Sequence, residues 1–347
     1  MIQPLQHLIV ILLVWCLCQL LPRRAGVHVL SVAGLIAVAI FAPVAAGFIV
    51  LTTLEACIMV VCFGRLDRSS NWRKYGPYLL LANLFFVDLH YWLLAMPVVT
   101  LAISFSTIRI FMTAKQLLNS RKKIPLSDVY WVFPAAFFLP AIVIGPVFSG
   151  TLLRDQNRAG AAEEIGLRDY RMVLQGIVLV ILLSPAVGNL GTTLQQDVLD
   201  IFFVDWPFLF LQLFAAFWGQ SLIAEHTSRF FGYRLPVNFD RPWKARTIKE
   251  FWNRWHRSMA QFVLQYIFLP LNLKGVPPKI ATVGAFVFMG LWHNLTLGYF
   301  VWGLCHGLLL AYSGDVSESR AKRNTTRVFV WTMVICLSWF ANYGPVS

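Results

Sequence analysis

The stretch GLWHNLTLGYFVWGLCHGLLL, residues 290–310, carries His293, Asn294 and His306, with no lysine, arginine or acid between Lys279 and Asp315. Ionisable groups in so apolar a run are costly to hold and usually serve a function. Upstream, FWNRWHRSMAQF at 251–262 sets Asn253, Arg254, His256 and Arg257 among Trp252 and Trp255. A neutral imidazole titrates near pH ~6.5, so at neutral pH it is mostly free to take a proton from a hydroxyl and later pass it to a leaving group. His293, with a second imidazole or an amide from the upstream cluster, suits that task. For His306, next to Gly307, a neutral ring bonded to a neighbouring backbone or hydroxyl group is the simpler reading. On one unbroken helix His293 and His306 would point about 220° apart, since they lie thirteen positions apart at roughly 100° per residue. A break at 294–298 would change that geometry.

Rival chemistry is thinly supplied. The chain has no HExxH, GxSxG, P-loop, GxGxxG or HxxxD motif. Cys16, Cys18, Cys57, Cys62, Cys305 and Cys336 all sit in apolar runs without a CxxC pair, so they read as small buried hydrophobes rather than a zinc site or a disulfide framework. Cys305, between Leu304 and His306, lacks the electropositive surroundings that favour a thiolate nucleophile. Neither a bound metal nor a tightly bound cofactor is expected.

These residues need elements to hold them. Thr247 followed by Glu250 matches a capping box, which predicts a helix starting there and continuing through 251–262. Its faces would be Trp252, Trp255 and Met259; Asn253 and His256; Arg254 and Arg257. The tryptophans would mark headgroup depth or contact an acyl donor. The polar face would meet protein or a watery cavity, and the arginines would hold either donor phosphates or lipid headgroups. Ahead of this helix, RFFGYRLPVNFDRPWKAR at 229–246 has two prolines, a glycine and no helical period, so an extended interfacial connector is expected.

The whole chain points to a membrane. It has 347 residues, 58% hydrophobic and 13% charged, with a mean hydropathy of +0.66, more apolar surface than a soluble core could hide. Apolar windows fall near 5–22, 28–63, 77–113, 130–149, 172–190, 201–223, 280–313 and 328–343, and the longest must hold two spans each. The expected fold is an all-α polytopic membrane protein of roughly ten or eleven transmembrane or re-entrant helices, parsed as a single domain over 1–347. The first window lacks the basic start and cleavage site of a signal peptide and reads as a retained helix. The net charge of +13 comes in short blocks between apolar windows, which excludes a nucleic-acid face and marks cytoplasmic loops. Arg23 and Arg24, Arg65 to Lys74 and Lys115 to Lys123 share a side, and the N-terminus lies on the other. Keeping Arg154, Arg158, Arg168 and Arg171 on the basic side requires 130–149, with Pro134, Pro140, Gly145 and Pro146, to re-enter or break rather than cross. The blocks at 229–257 and from Arg320 to Arg327 then follow.

RLPVNFDRPWKARTIKEFWNRWHRSMAQFVLQYIFLPL followed by FMGLWHNLTLGYFVWGLCHGLLL resembles the membrane-bound O-acyltransferases (MBOAT), in the bacterial branch that acetylates exopolysaccharides such as alginate and D-alanylates teichoic acids. PVVTLAISFSTIRIFMTAKQ and FPAAFFLPAIVIGPVFSG are similar to that branch's ISFYTF and FFPxLxxGPI segments, so the likeness covers about 97–313. The resemblance implies helices around a central tunnel, with a thioester donor entering from the cytoplasm and a hydroxyl acceptor from the outer side or the bilayer. It implies that His293, of the LWH motif, is catalytic and that His256, of the WxRWH motif, is its partner. Asn253 falls where other branches place a catalytic asparagine, and Asn294 replaces the glycine that commonly follows LWH. AAFWGQSLIAEH replaces the family's FDFSGYSD, leaving Glu225 and His226 in place of its acids, and little follows Arg327 beyond one helix.

The expected reaction moves an acyl group, acetyl by resemblance, from acyl-CoA or an acyl-carrier thioester to a glycan or cell-envelope polymer. A lipid or other membrane alcohol is the alternative acceptor. Membrane lipid and proteins of an acylation pathway are the expected partners, and the expected location is the bacterial cytoplasmic membrane. A transporter or flippase is the rival of another class. It would use Glu55, Asp88 and His90, and many transporters show related halves that this sequence lacks.

Overall fold

A computed structural model of the chain describes residues 4–22, 25–84, 97–120, 123–160, 165–194 and 206–313. It is helical, with no strand among the described residues. In chain order the main helices are α1 (Pro4–Cys18), α2 (Gly26–Phe41), α3 (Pro43–Phe63), α4 (Pro97–Asn119), α5 (Val132–Phe137), α6 (Gly150–Ala159), α7 (Leu167–Ile177), α8 (Ser184–Leu194), α9 (Trp206–Phe230), α10 (Ile248–Trp252), α11 (Arg257–Val263), α12 (Leu269–Leu273), α13 (Pro278–His293) and α14 (Leu297–Tyr312). The wider π turns Val178–Leu183 and Leu264–Phe268 join α7 to α8 and α11 to α12. Three stretches among the described residues, Pro43–Phe63, Leu167–Leu190 and Pro207–Phe230, are long and apolar enough to cross a bilayer. The window at 328–343, Asp88, His90, Cys336 and the basic residues Arg23, Arg24 and Arg320 to Arg327 lie outside the described residues.

Two compact units emerge, one drawn from Met1–Ile181 with Gly219–Pro236, the other from Leu182–Trp218 with Val237–Ser347. No linker or change of composition marks that partition in the sequence. In the first unit the apolar window at 28–63 divides at Pro43, whose fixed φ and missing N–H suit the first helical position and not a helix interior. Helix α3 turns Leu51, Leu54 and Ile58 outward and buries Ala45, Ala46, Thr52, Thr53 and Ala56. That arrangement, apolar outside with small and hydroxyl residues inside, is how helices pack where lipid replaces water. Thr53 donates to the Ile49 carbonyl at 2.7 Å, which satisfies its buried hydroxyl. Glu55, a residue a transport path would use, accepts from Asn83 at 2.8 Å.

The segment at 130–149 is broken, not spanning. It holds only the six-residue α5 and a 3₁₀ turn at Leu139–Ala141 before an irregular run to α6. Irregular backbone survives at membrane depth only when protein surrounds it and other groups satisfy its carbonyls. Both conditions hold, for Ala135 to Leu139 with Ala141 and Ile142 are buried. His7 on α1 donates to the Leu139 carbonyl at 2.8 Å and Ser106 on α4 to that of Ala136 at 3.0 Å. Arg109, fully buried on α4, donates to Ala141 at 2.7 Å and to Pro146 at 3.3 Å, with its guanidinium 4.9 Å above the Phe148 ring. The sequence-level expectation of a break named the prolines but not these three side chains.

In the second unit the window at 280–313 becomes a hairpin. Helices α13 and α14 are sixteen residues each, or about 24 Å, short of the ~30 Å hydrocarbon core. They are two short helices laid side by side.

Candidate active site

The site is assembled within the second unit, starting from the connector. After Gly232 the chain runs without helix to a 3₁₀ turn at Pro242–Lys244, the extended form its prolines predict. Thr247 then caps α10, its hydroxyl accepting from the Glu250 amide at 3.0 Å, while the Glu250 carboxylate accepts from the Arg246 amide at 2.8 Å. The start of the helix agrees with the sequence reading and its length does not. Helix α10 ends at Trp252, a turn follows, and α11 begins only at Arg257. At the junction His256 has φ 42° and ψ 52°, a left-handed conformation that non-glycine residues rarely adopt.

The connector explains the break. The Asn238 carbonyl accepts from the Arg257 amide at 2.9 Å, and the Asp240 amide donates to the Arg254 carbonyl at 3.0 Å. Asn238 Oδ1 also accepts from the Ser258 hydroxyl at 2.5 Å. Backbone groups that a continuous helix would have paired internally are paired across instead, so the turn is held open. The expected stripes are therefore corrected. Asn253 is exposed and His256 is buried, so the two do not share a face.

His256 packs edge-on against Phe217, 4.7 Å between ring centroids, and lies 6.2 Å from Trp292. Trp292 in turn lies 4.6 Å from His293. The two imidazoles, thirty-seven positions apart in sequence, thus both neighbour one indole. His293 is the last residue of α13, where Asn294 takes an extended conformation and Thr296 caps α14 through the Tyr299 amide at 3.4 Å. The helix therefore breaks between His293 and His306. Tyr299 and Trp302 stand 5.7 and 5.6 Å from the His293 ring. His293 is exposed at the end of α13.

Close approach of the two helices sets this geometry. A β-carbon on Gly290 would stand 2.2 Å from the Tyr299 carbonyl oxygen, and one on Gly303 would stand 2.5 Å from that of Phe286. Only glycine allows such contact. His306 is buried on α14, and its Nδ1 lies 3.1 Å from the Trp302 carbonyl oxygen.

The remaining candidates separate. Arg254 is committed to the connector, donating to the Asp240 carbonyl at 3.2 Å and pairing with its carboxylate at 3.5 Å. Arg257 is half-buried, and its guanidinium makes no hydrogen bond or ion pair among the described residues. Trp255 stacks on Phe210 and Phe251 and meets Phe214 and Phe239 edge-on or tilted. Trp252 is buried against Phe286, Trp302 and His306. Both indoles are centres of aromatic packing, Trp252 buried and Trp255 half-buried. Asn294 is half-buried at the end of α13. Cys305 is half-buried on α14. Glu225 and His226 belong to the other unit, where His226 Nδ1 lies 2.7 Å from Asp169 and Arg229 lies 3.4 Å from the same carboxylate. Asn238, Phe217 and Trp302 were not anticipated. Only their long-range partners reveal them, and no local spacing carries that signal.

Comparison with known proteins follows from this geometry. The family model described as MBOAT, membrane-bound O-acyltransferase family, matches residues 86–343. The chain is 34% identical over 139 residues to the peptidoglycan O-acetyltransferase of Helicobacter pylori, covering 39% of this chain and 25% of that protein. It is 23% identical over 254 residues to the teichoic acid D-alanyltransferase of Bacillus subtilis, 68% and 63% of the two chains. It is 26% identical over 217 residues to a probable alginate O-acetylase of Pseudomonas fluorescens, 59% and 44%. The chain thus spans between a quarter and just under two thirds of the lengths of these relatives.

Proposed function

We propose, because the chain belongs to the membrane-bound O-acyltransferase family, that it transfers an acyl group, acetyl in the simplest case, from a cytoplasmic thioester to a hydroxyl of an extracytoplasmic glycan or cell-envelope polymer. The observation that carries this reading is the accessible His293 ring at the tip of α13, with His256 across Trp292. His293 takes the proton of the acceptor hydroxyl as its oxygen attacks the thioester carbonyl. The carbon–sulfur bond then breaks, and the proton passes from His293 to the departing thiolate. No acyl-enzyme is needed. His256 orients the donor or stabilises the developing oxyanion, a role whose loss costs on the order of a hundredfold in rate. Arg257, whose guanidinium has no hydrogen bond or ion pair among the described residues, meets the phosphates of CoA or of a carrier's phosphopantetheine. The named relatives act on peptidoglycan, teichoic acid and alginate, which supports a polymer acceptor over a membrane lipid. The acceptor is reached from outside the cytoplasmic membrane.

The decisive experiment measures acyl transfer by membranes holding the parent, His293→Ala and His256→Ala, with folding checked by thermal midpoint. Loss of a general base costs about 10²–10⁴ in rate, so His293→Ala falls at least a hundredfold. Activity within a few-fold of the parent would end the assignment. Mass analysis of surface glycans and lipids, with and without the gene, identifies the acceptor.

A further inference from the structure

A second polar pair, Trp252 and His306, neighbours Trp302, and the mechanism above does not use it. His306 is wholly buried, and its Nδ1 faces the Trp302 carbonyl oxygen at 3.1 Å. A carbonyl only accepts, so Nδ1 carries the proton and Nε2 of the neutral ring is a lone-pair acceptor. That Nε2 finds no hydrogen-bond partner among the described residues. Trp252 presents the opposite deficit. Its indole Nε1–H can only donate, it is buried, and it too finds no partner among the described residues. The two rings meet edge to face with centroids 5.4 Å apart, and aromatic carbon from Trp302 and Phe286 supplies the surrounding wall.

We propose that Trp252 Nε1–H and His306 Nε2 together hold one hydroxyl oxygen, which accepts from the indole and donates to the imidazole. Buried polar groups in folded proteins are satisfied with few exceptions. A carbonyl would satisfy only the indole and an ammonium only the imidazole, whereas a hydroxyl satisfies both at once. Water and a sugar alcohol share this chemistry. The near-complete burial of both side chains, 8% and 0% exposed, suits an occupant that presents a single oxygen, a water or the hydroxyl tip of a larger alcohol. The site would tie α10 to α14 beside Trp302. It stands independently of the acyl-transfer reading, since its readouts need no activity.

The test uses the full chain in detergent micelles, as the parent, Trp252→Phe, His306→Leu and the double variant. Each single change strands the opposite group, so the thermal midpoint falls for both, while the double variant falls by less than their sum. A parent-minus-Trp252→Phe resonance Raman difference isolates one indole, whose N–H band takes its hydrogen-bonded position. This second measurement needs only the conservative variant to fold. Coupling in plain buffer assigns the oxygen to water, and coupling that appears only with methyl β-D-glucoside assigns it to a sugar hydroxyl. Additive losses in both media, or an unbonded indole band, would overturn the proposal.

Discussion

Substitution of Gly303 by alanine should disable the proposed site without changing His293 or His256 itself. The added β-carbon would stand 2.5 Å from the Phe286 carbonyl oxygen, 2.9 Å from the Val287 α-carbon and 3.0 Å from the Phe286 carbonyl carbon. All three are backbone atoms, so no side chain can swing aside. Ordinary contact begins near 3.4 Å, so α13 and α14 must part locally by about 0.9 Å. Forced overpacking of this kind costs about 1–3 kcal/mol. The shift is carried by Trp302, the residue before Gly303 and a direct neighbour of His293. Misplacement of a reacting group by about 1 Å can cost on the order of a hundredfold in rate. Gly284 on α13 is the matched control, because a β-carbon there meets only Leu271 Cδ1 at 3.7 Å. Alanine at 284 is expected to be neutral or to stabilise by up to ~1 kcal/mol through helix propensity. The assay is acyl transfer in membranes, with thermal midpoints on the same preparations. If Gly303→Ala keeps activity within a few-fold of Gly284→Ala, the close packing of the hairpin does not position His293.

Three further outcomes follow from the same geometry. His256→Ala and His256→Gly both remove the ring, so their stability difference isolates the left-handed backbone; glycine should be the more stable by about 1–2 kcal/mol, read from thermal midpoints, with transfer lost in both. Arg257→Gln should raise the KM for the thioester with kcat little changed, whereas Arg254→Gln, which leaves Asp240 with Arg241 alone, should lower the stability by at most ~1 kcal/mol, the range for a partly exposed pair. Cys305→Ala should leave transfer within a few-fold of the parent in the membrane assay, and a hundredfold loss would restore the covalent alternative.

Membrane insertion and the two polar clusters could be read from the sequence because both depend on local composition. Thr247 and Glu250 likewise announced a helix start, since a cap needs only neighbours in sequence. The break at 253–256 was invisible, because it arises from hydrogen bonds with Asn238 and Asp240 in the preceding connector. Helical spacing assumed a continuous ladder, so it placed Asn253 and His256 on one face that does not exist. The aromatic packing of Trp252 and Trp255 was likewise hidden, for a tryptophan's neighbours across the fold leave no trace in its own segment. At 130–149 the prolines marked the irregular backbone, but the partners that make it tolerable, His7, Ser106 and Arg109, come from helices distant in sequence.

The cage around Arg109 is made of peptide dipoles and the phenyl faces of Phe105 and Phe148, with no carboxylate among its contacts in the described residues. Mobile ions weaken attraction between charges within reach of water and leave buried contacts almost untouched. Concentrated salt should therefore loosen the clasp of Arg154 and Arg158 on Asp128 near the surface while the kinked backbone at 139–146 keeps its grip. Urea, which competes for peptide carbonyls directly, attacks that grip where brine does not.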